Sequence, residues 1–364
     1  MNSKRFFSLC AAAACLLAGC SGPKGLNFGG DSNGKAIGGI TIPAYVPGPL
    51  DGLRTPRRNA LRRPIAIILE NYAPDSRPQS GLGAASTVIE TLAEGGVTRF
   101  MAVYLENETT KVGPVRSTRM YFDRWAAGLH SVLVHVGGND DAQAQLWRLP
   151  KVFNIDENRW EVNLYNTGTP LFWRSRNRLA PHNMYVNTAV LRQYVSRHRQ
   201  NWFYSQASLV HKTAAALRYR GRTTTIDIHF TNPLGGLPNP NYAVHYVYDR
   251  RSDTYARWMG GSPHVDAATG HVLRPANVVV LQSGHPFPDV AAGPTPQSIL
   301  IPGLDGGKAT YFLDGKVRYG WWKQANINAP LHFMDRRGRA IQFNPGQTWI
   351  EVVPASSPFT WSAR

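Results

Sequence analysis

The sequence predicts a two-part protein: an α/β domain of βαβαβα order with a largely parallel sheet, then a β-rich domain, a barrel or a sandwich. Three observations predict it. Short apolar runs rich in β-branched residues alternate with helix-like segments as far as about residue 150. Strand-like runs separated by turn signals dominate from residue 223. Between them a basic stretch (LRQYVSRHRQNWF) reads as a helical junction.

The elements of the first domain follow in order. Residues 65–69 (IAIIL) suit a strand covered on both faces. Residues 82–94 place Ala85, Val88, Ile89 and Leu92 at helical spacing, and Gly95-Gly96 supplies the stop. Residues 97–105 read as a second strand. Residues 117–129 read as a second helix, with Met120, Tyr121 and Trp125 on one side. A third strand, 131–136, ends at Gly137-Gly138, and Asp140-Asp141 opens a third helix with acids at the positive end of its dipole. In the second domain, residues 223–230, 243–248, 277–282, 310–313, 316–322 and 348–353 read as strands. Asp314-Gly315 between two of them is a hairpin signal. The resulting layout is a leader over 1–19, a flexible tether over 20–60, the α/β domain over 61–205, a helical, basic junction over 206–222 and the β-rich domain over 223–364.

The N-terminus fixes the compartment. Lys4 and Arg5 precede a short apolar run that ends in Leu17-Ala18-Gly19-Cys20, the layout of a secretory signal. The run is too short to span a bilayer, and its small-small-Cys ending resembles the lipobox of bacterial lipoproteins. Cys20 is therefore expected to be the mature N-terminus, to carry lipid such as palmitate on its sulfur, and to anchor the protein to the cell membrane; Ser21 suits onward transfer to an outer membrane where the host has one. The other cysteines, Cys10 and Cys15, lie in the leader, which excludes disulfides and a cysteine nucleophile from the mature chain. Gly, Pro, Asn and Ser then enrich the tether.

The net charge of +17 falls to +15 on loss of Lys4 and Arg5. Such a field favours an anionic partner, a cell-wall polymer or lipid head groups; the alternative is a basic surface with no specific partner. Export and the lack of a base-reading motif argue against nucleic acid as a routine partner.

The densest polar constellation is Gly113-Pro114-Val115-Arg116-Ser117-Thr118-Arg119 before a helix. Ser117 suits the N-cap, and two arginines beside free backbone N–H groups, with Arg99, suit a carboxylate or phosphate. Alternatively, the arginines pair with acids such as Asp123 or Glu94. For acid/base work the candidates are Glu90 and Glu94, at i and i+4 on one helix face, Glu70 at a strand end, His135 before Gly137-Gly138, and His182 in a turn. Each has a plain structural alternative: counter-charge, solvated face or satisfied histidine. His264, Asp266 and His271 read as a polar hairpin tip rather than a metal site. No metal and no cofactor is implied, and HExxH, GxSxG, Walker and CxxC signatures are missing.

Together these residues resemble the YerB-like lipoprotein family. The resemblance rests on Arg63-Pro64-Ile65-Ala66, Arg77-Pro78-Gln79-Ser80-Gly81-Leu82, Glu94-Gly95-Gly96-Val97-Thr98-Arg99-Phe100, Gly113 to Arg119, His135 to Gly138 and Pro181-His182-Asn183-Met184-Tyr185. In the second half it rests on Asp314-Gly315-Lys316, Gly320-Trp321-Trp322-Lys323 and Gly346-Gln347-Thr348-Trp349-Ile350. Glu70-Asn71 departs from the family's more frequent Asp-Asn and keeps the acid. The resemblance implies a two-domain envelope lipoprotein without an assigned activity and carries over no catalytic residue. Two functions stay open: a binding or scaffold protein for an anionic envelope ligand, or a carboxylate-based hydrolase or transferase acting on a cell-wall substrate. Convergence of the candidates in one open cleft would favour the enzyme.

Overall fold

The computed structural model describes residues 36–37, 40–41, 43–159, 162, 170–201, 209–231, 237–283, 287–288, 299–300, 306–355 and 357–363. The leader, Cys20 and most of the expected tether lie outside these residues. The chain forms two units, Met1–Pro43 and Ala44–Arg364. In the first, Ala36–Ile37 pairs with Ile40–Thr41.

The second unit begins inside the segment expected to be tether. Tyr45–Pro47 pairs with Arg54–Pro56, Arg57–Ala60 makes a helical turn, and Leu50 is buried with its amide donating to Glu106 Oε1 at 2.8 Å. Here the Gly and Pro residues shape a hairpin fixed by tertiary contacts, so the flexible-tether reading fails for residues 44–60.

Its first half contains β1 (Ile65–Glu70), β2 (Thr87–Leu92), β3 (Thr98–Tyr104), α1 (Met120–Gly128), β4 (Val132–His135), α2 (Asp140–Leu146), β5 (Phe153–Asp156), β6 (Phe172–Arg174), β7 (Met184–Val186) and α3 (Thr188–Arg197). Its second half contains β8 (Thr223–Ile228), β9 (Val244–Asp249), β10 (Thr254–Met259), β11 (Ser262–Pro263), β12 (Asn277–Ser283), β13 (Gly306–Leu313), β14 (Lys316–Lys323), β15 (His332–Asp335), β16 (Thr348–Pro354) and β17 (Phe359–Ala363).

Ten of these strands form one mixed sheet in the order β15-β14-β13-β12-β16-β2-β3-β1-β4-β5. Parallel pairs are β1–β4, β4–β5, β2–β16 and β12–β16; the other neighbours are antiparallel. The sheet therefore takes strands from both halves, and the largely parallel order expected for the first half is not what forms. The decisive difference lies at 82–94. Only Leu82–Ala84 makes a 3₁₀ turn, and β2 replaces the expected helix. Ala85, Val88, Ile89 and Leu92 fit a helical period, but β2 is buried on both faces, so the sequence there carries no period-two signal. Gly95 and Gly96, at φ 68° and 72°, turn the chain from β2 into β3.

A second sheet, β11-β10-β9-β8-β17, packs on one face of the first. Helix α1 packs on the other, its Tyr121 hydroxyl donating to the Leu92 carbonyl at 2.7 Å. The hairpin expected at Asp314-Gly315 joins β13 to β14, with both residues at positive φ. Of the expected junction, α3 is helical and capped by Asn187, whose Oδ1 accepts from the Ala189 amide. Residues 209–222 hold the short strand Val210–His211 and one 3₁₀ turn at Leu217–Tyr219 in place of a helix, and 206–208 lie outside the described residues. None of the described helices is long and apolar enough to cross a membrane.

Candidate functional site

Alternation along β1, β2 and β3 sorts the predicted acids onto opposite faces of the sheet. Glu70 stands opposite Arg99, which stands opposite Thr91; Glu90 stands opposite Phe100, one step along. Glu70 and Arg99 therefore share the helix-covered face, and Glu90 faces the second sheet.

On the first face the loop between β3 and α1 brings in the arginines. The Arg116 amide donates to Ile68 O at 2.9 Å, and the Thr118 amide donates to Gly137 O at 3.0 Å. These bonds hold residues 116–118 extended, so α1 starts at Met120 with Arg119 at the N-cap position and no side-chain cap. Ser117, expected to cap that helix, instead accepts from Arg99 Nη1 at its carbonyl, at 2.7 Å.

The result is one continuous charged band. Arg119 forms a fork with Glu94, Nη2 donating to Oε2 at 2.5 Å. Arg116 Nε lies 2.9 Å from Glu70 Oε1, the guanidinium 29 % exposed and the carboxylate 4 %. His182 Nδ1 lies 2.9 Å from Glu70 Oε2, and its ring stacks on Tyr72 at 5.3 Å and 12°. Burial pulls the Arg99 guanidinium down to about 10, with Arg119 adding repulsion and Glu94 opposing it. Burial would raise the Glu94 carboxyl, but the Arg119 hydrogen bond and charge prevail and hold it below its usual value.

Beside His182 opens a recess of about 450 Å³ lined by Asp75, Asn177, Arg178, Leu179, Ala180 and His182. Arg178 pins this wall to the loop that follows β1, donating to Ser76 O and Pro78 O at 2.6 Å each. Arg174 and Arg176 are exposed on the same loop.

Glu90 belongs to a different cluster, and its expected helical partnership with Glu94 disappears with the helix. It is fully buried and ion-paired with Arg257 of β10, which also lies 3.6 Å from Glu351 of β16. The Tyr246 hydroxyl donates to Glu351, and Thr98 Oγ1 donates to Glu90 at 2.5 Å. Burial pushes the Glu90 carboxyl well above its usual range, Arg257 pulling it back in part and Glu351 pushing the same way as burial. Arg257 Nη1 donates to His264 Nδ1, whose Nε2 donates to Gln79 Oε1 at 3.0 Å. Asn71 extends the buried cluster: Nδ2 donates to Thr98 at 2.6 Å, and Oδ1 accepts from Arg77 Nε at 2.8 Å.

His135 is also withdrawn. Its ring nitrogens face Gly137 O and Asn154 Oδ1, each at 2.7 Å, inside the fold. Flanked by two oxygens and buried, it has no access to a substrate. The His264–His271 hairpin is no free tip: Asp266 is buried and accepts from the Gly81 and Gly83 amides at 2.8 and 2.7 Å. Among the described residues no group of three His, Cys, Asp or Glu side chains is placed to hold a metal.

The structure thus gathers Glu70, Glu94, Arg99, Arg116, Ser117, Arg119 and His182 and separates Glu90 and His135. Sequence reading missed Tyr72, Arg178 and Arg257. Arg257 carried a weak signal, as a lone cation inside an apolar strand pattern.

Residues 50–201 match the family model "Protein of unknown function (DUF3048) N-terminal domain", and residues 237–350 match "Protein of unknown function (DUF3048) C-terminal domain". The chain is 31% identical over 307 residues to "Putative lipoprotein YerB" of Bacillus subtilis (strain 168), covering 84% of this chain and 86% of that one. The crystal structure of the YerB protein from Bacillus subtilis superposes with a TM-score of 0.72 at 28% identity, covering 86% of this chain and 99% of that one.

Proposed function

The chain belongs to the DUF3048 family that includes YerB, and from that membership we propose that it is a lipid-anchored protein of the cell envelope that binds an anionic ligand. The supporting observation is a charge imbalance in the half-buried band. Three guanidinium groups (Arg99, Arg116, Arg119) meet two carboxylates (Glu70, Glu94). Arg119 and Arg116 are each matched by an acid. Among the described residues, Arg99 has only a neutral carbonyl within hydrogen-bonding distance. A carboxylate or phosphate would complete it, with Arg116 and the basic 174–178 loop at the rim.

The test is thermal stabilisation of the full chain, in mild detergent at low salt, by phosphate, sulfate and peptidoglycan fragments. Wild type should shift upward. Arg99→Gln should keep its own melting temperature and lose the shift. An unchanged response in Arg99→Gln removes this site. Anchoring is tested separately with a fatty-acid analogue, which should label wild type and spare Cys20→Ala.

One observation favours a second reading, an acid/base enzyme. Glu70 orients His182 at the edge of the recess, an arrangement in which the imidazole can accept a proton. Products released from purified cell wall by wild type and not by His182→Ala would establish it.

A further inference from the structure

We propose that the step where β13, β14 and β15 run out beyond β17 is a docking surface for an acidic glycan. β15 is the outer strand of the large sheet and β17 the outer strand of the small one. From β17, Trp361 reaches down to Phe312 of β13 and Tyr319 of β14, with ring centroids 6.1 and 6.0 Å away. Tyr319 and Trp321 share this face of β14, two residues apart, with Thr310 and Lys308 opposite them on β13. Trp321 is 48% exposed, Tyr319 39% and Trp361 37%, whereas Trp322, the next residue of β14, is buried.

Charge sets the kind of partner. Residues 306–339 hold seven Lys or Arg against two Asp. Both acids are already taken: Asp314 is buried with Lys212 at 2.8 Å, and Asp335 accepts from Arg339 Nε at 2.8 Å. Arg336 lies over the Tyr319 ring at 4.9 Å. Exposed rings about 6 Å apart, bordered by unmatched cations, suit a chain whose repeating units each present an apolar C–H face and an anionic group. A sugar ring bearing a carboxylate or phosphate has both. The floor and the β17 wall form a corner, which suits a linear chain rather than a flat bilayer. This surface lies at the opposite end of the ten-stranded sheet from the Glu70–Arg116 band and stands independently of it.

The probe is a galacturonate oligomer titrated into the full chain at low salt, read by tryptophan fluorescence and calorimetry. Matched titrations use a neutral glucan, single-stranded oligothymidylate and phosphatidylglycerol vesicles. The acidic glycan should bind most tightly and weaken with added salt. Trp321→Ala, at an exposed site, should keep the melting temperature and weaken binding about tenfold. Trp321→Phe should restore most of the loss, and Lys308→Gln with Lys323→Gln should abolish the preference over neutral glucan. Binding unaffected by Trp321→Ala, or tighter binding to oligothymidylate or vesicles, overturns the proposal. So does the absence of binding.

Discussion

Two clusters of glutamate and arginine sit on opposite faces of the same strands and have opposite physical characters. On the face toward the second sheet, Glu90, Arg257 and Glu351 are wholly excluded from water. On the other, Glu94, Arg99, Arg116 and Arg119 are partly open around a buried Glu70 and rimmed by exposed arginines. The same side-chain types do different work because strand alternation turns them toward different surroundings. The buried cluster joins strands from both halves of the chain, where each charge depends on its partner. The partly open band holds three guanidinium groups against two carboxylates.

The largest effect should come from Arg257→Met, which leaves two buried carboxylates facing each other without a cation. Removal of one partner from such a cluster costs about 3–5 kcal/mol. Urea denaturation measures it, and a loss near that of an exposed arginine would erase the distinction between the two regions.

Second, the two glutamates should give stability opposite pH slopes, each at most about 1.4 kcal/mol per pH unit. The folded value of Glu90 is raised above 4.5, so its contribution is complete below 4.5 and falls as pH rises toward the folded value. The folded value of Glu94 is lowered, so its contribution is complete above 4.5 and falls as pH drops through the folded value. Relative to wild type, Glu90→Gln should gain stability with rising pH above 4.5, and Glu94→Gln should gain it with falling pH below 4.5. Denaturation of each variant across pH 3–8 reads the two slopes, and slopes of the same sign would contradict the assignment.

Third, Arg119→Ala should cost about 1–2 kcal/mol, since its fork with Glu94 is charge-assisted yet partly solvated. A double-mutant cycle with Glu94→Gln isolates that coupling. The smallest effect belongs to Arg99→Gln. It exchanges a carbonyl contact for relief from Arg116 and Arg119 and should change stability by less than about 0.5 kcal/mol. A loss comparable to that of Arg257 would make Arg99 a structural residue.

The same contrast explains what the sequence made legible. β1, β3 and β4 were readable because β-branched runs bounded by turn residues have one good interpretation, and β14 because Asp314-Gly315 announces its hairpin. β2 was not, since Val88, Ile89 and Leu92 satisfy a helical period and a strand buried on both sides equally well. That one element moved Glu90 away from Glu94. The open band was legible through Arg116, Arg119 and Glu70, whose spacing around Gly113-Pro114 and a strand end marks a polar site. The buried cluster was not, because Glu90, Arg257 and Glu351 come from three distant strands, and their meeting depends on sheet order. No local pattern encodes that order.

The position of β16 also governs when the molecule can become itself. This strand, almost the last of the chain, lies between β12 and β2 at the centre of the large sheet, and Thr91 bonds across it to Val352, 261 residues away. At synthesis rates of about 5–20 residues per second, β2 waits roughly 13–50 s for its neighbour. Until then one edge of β2 lacks its permanent hydrogen-bonding partner, and the buried cluster lacks the Glu351 carboxylate. The growing polypeptide must stay open along that seam until its tail arrives, so a chain interrupted before residue 348 has no route to the native sheet. Completion of the large sheet waits on a strand made after all its neighbours.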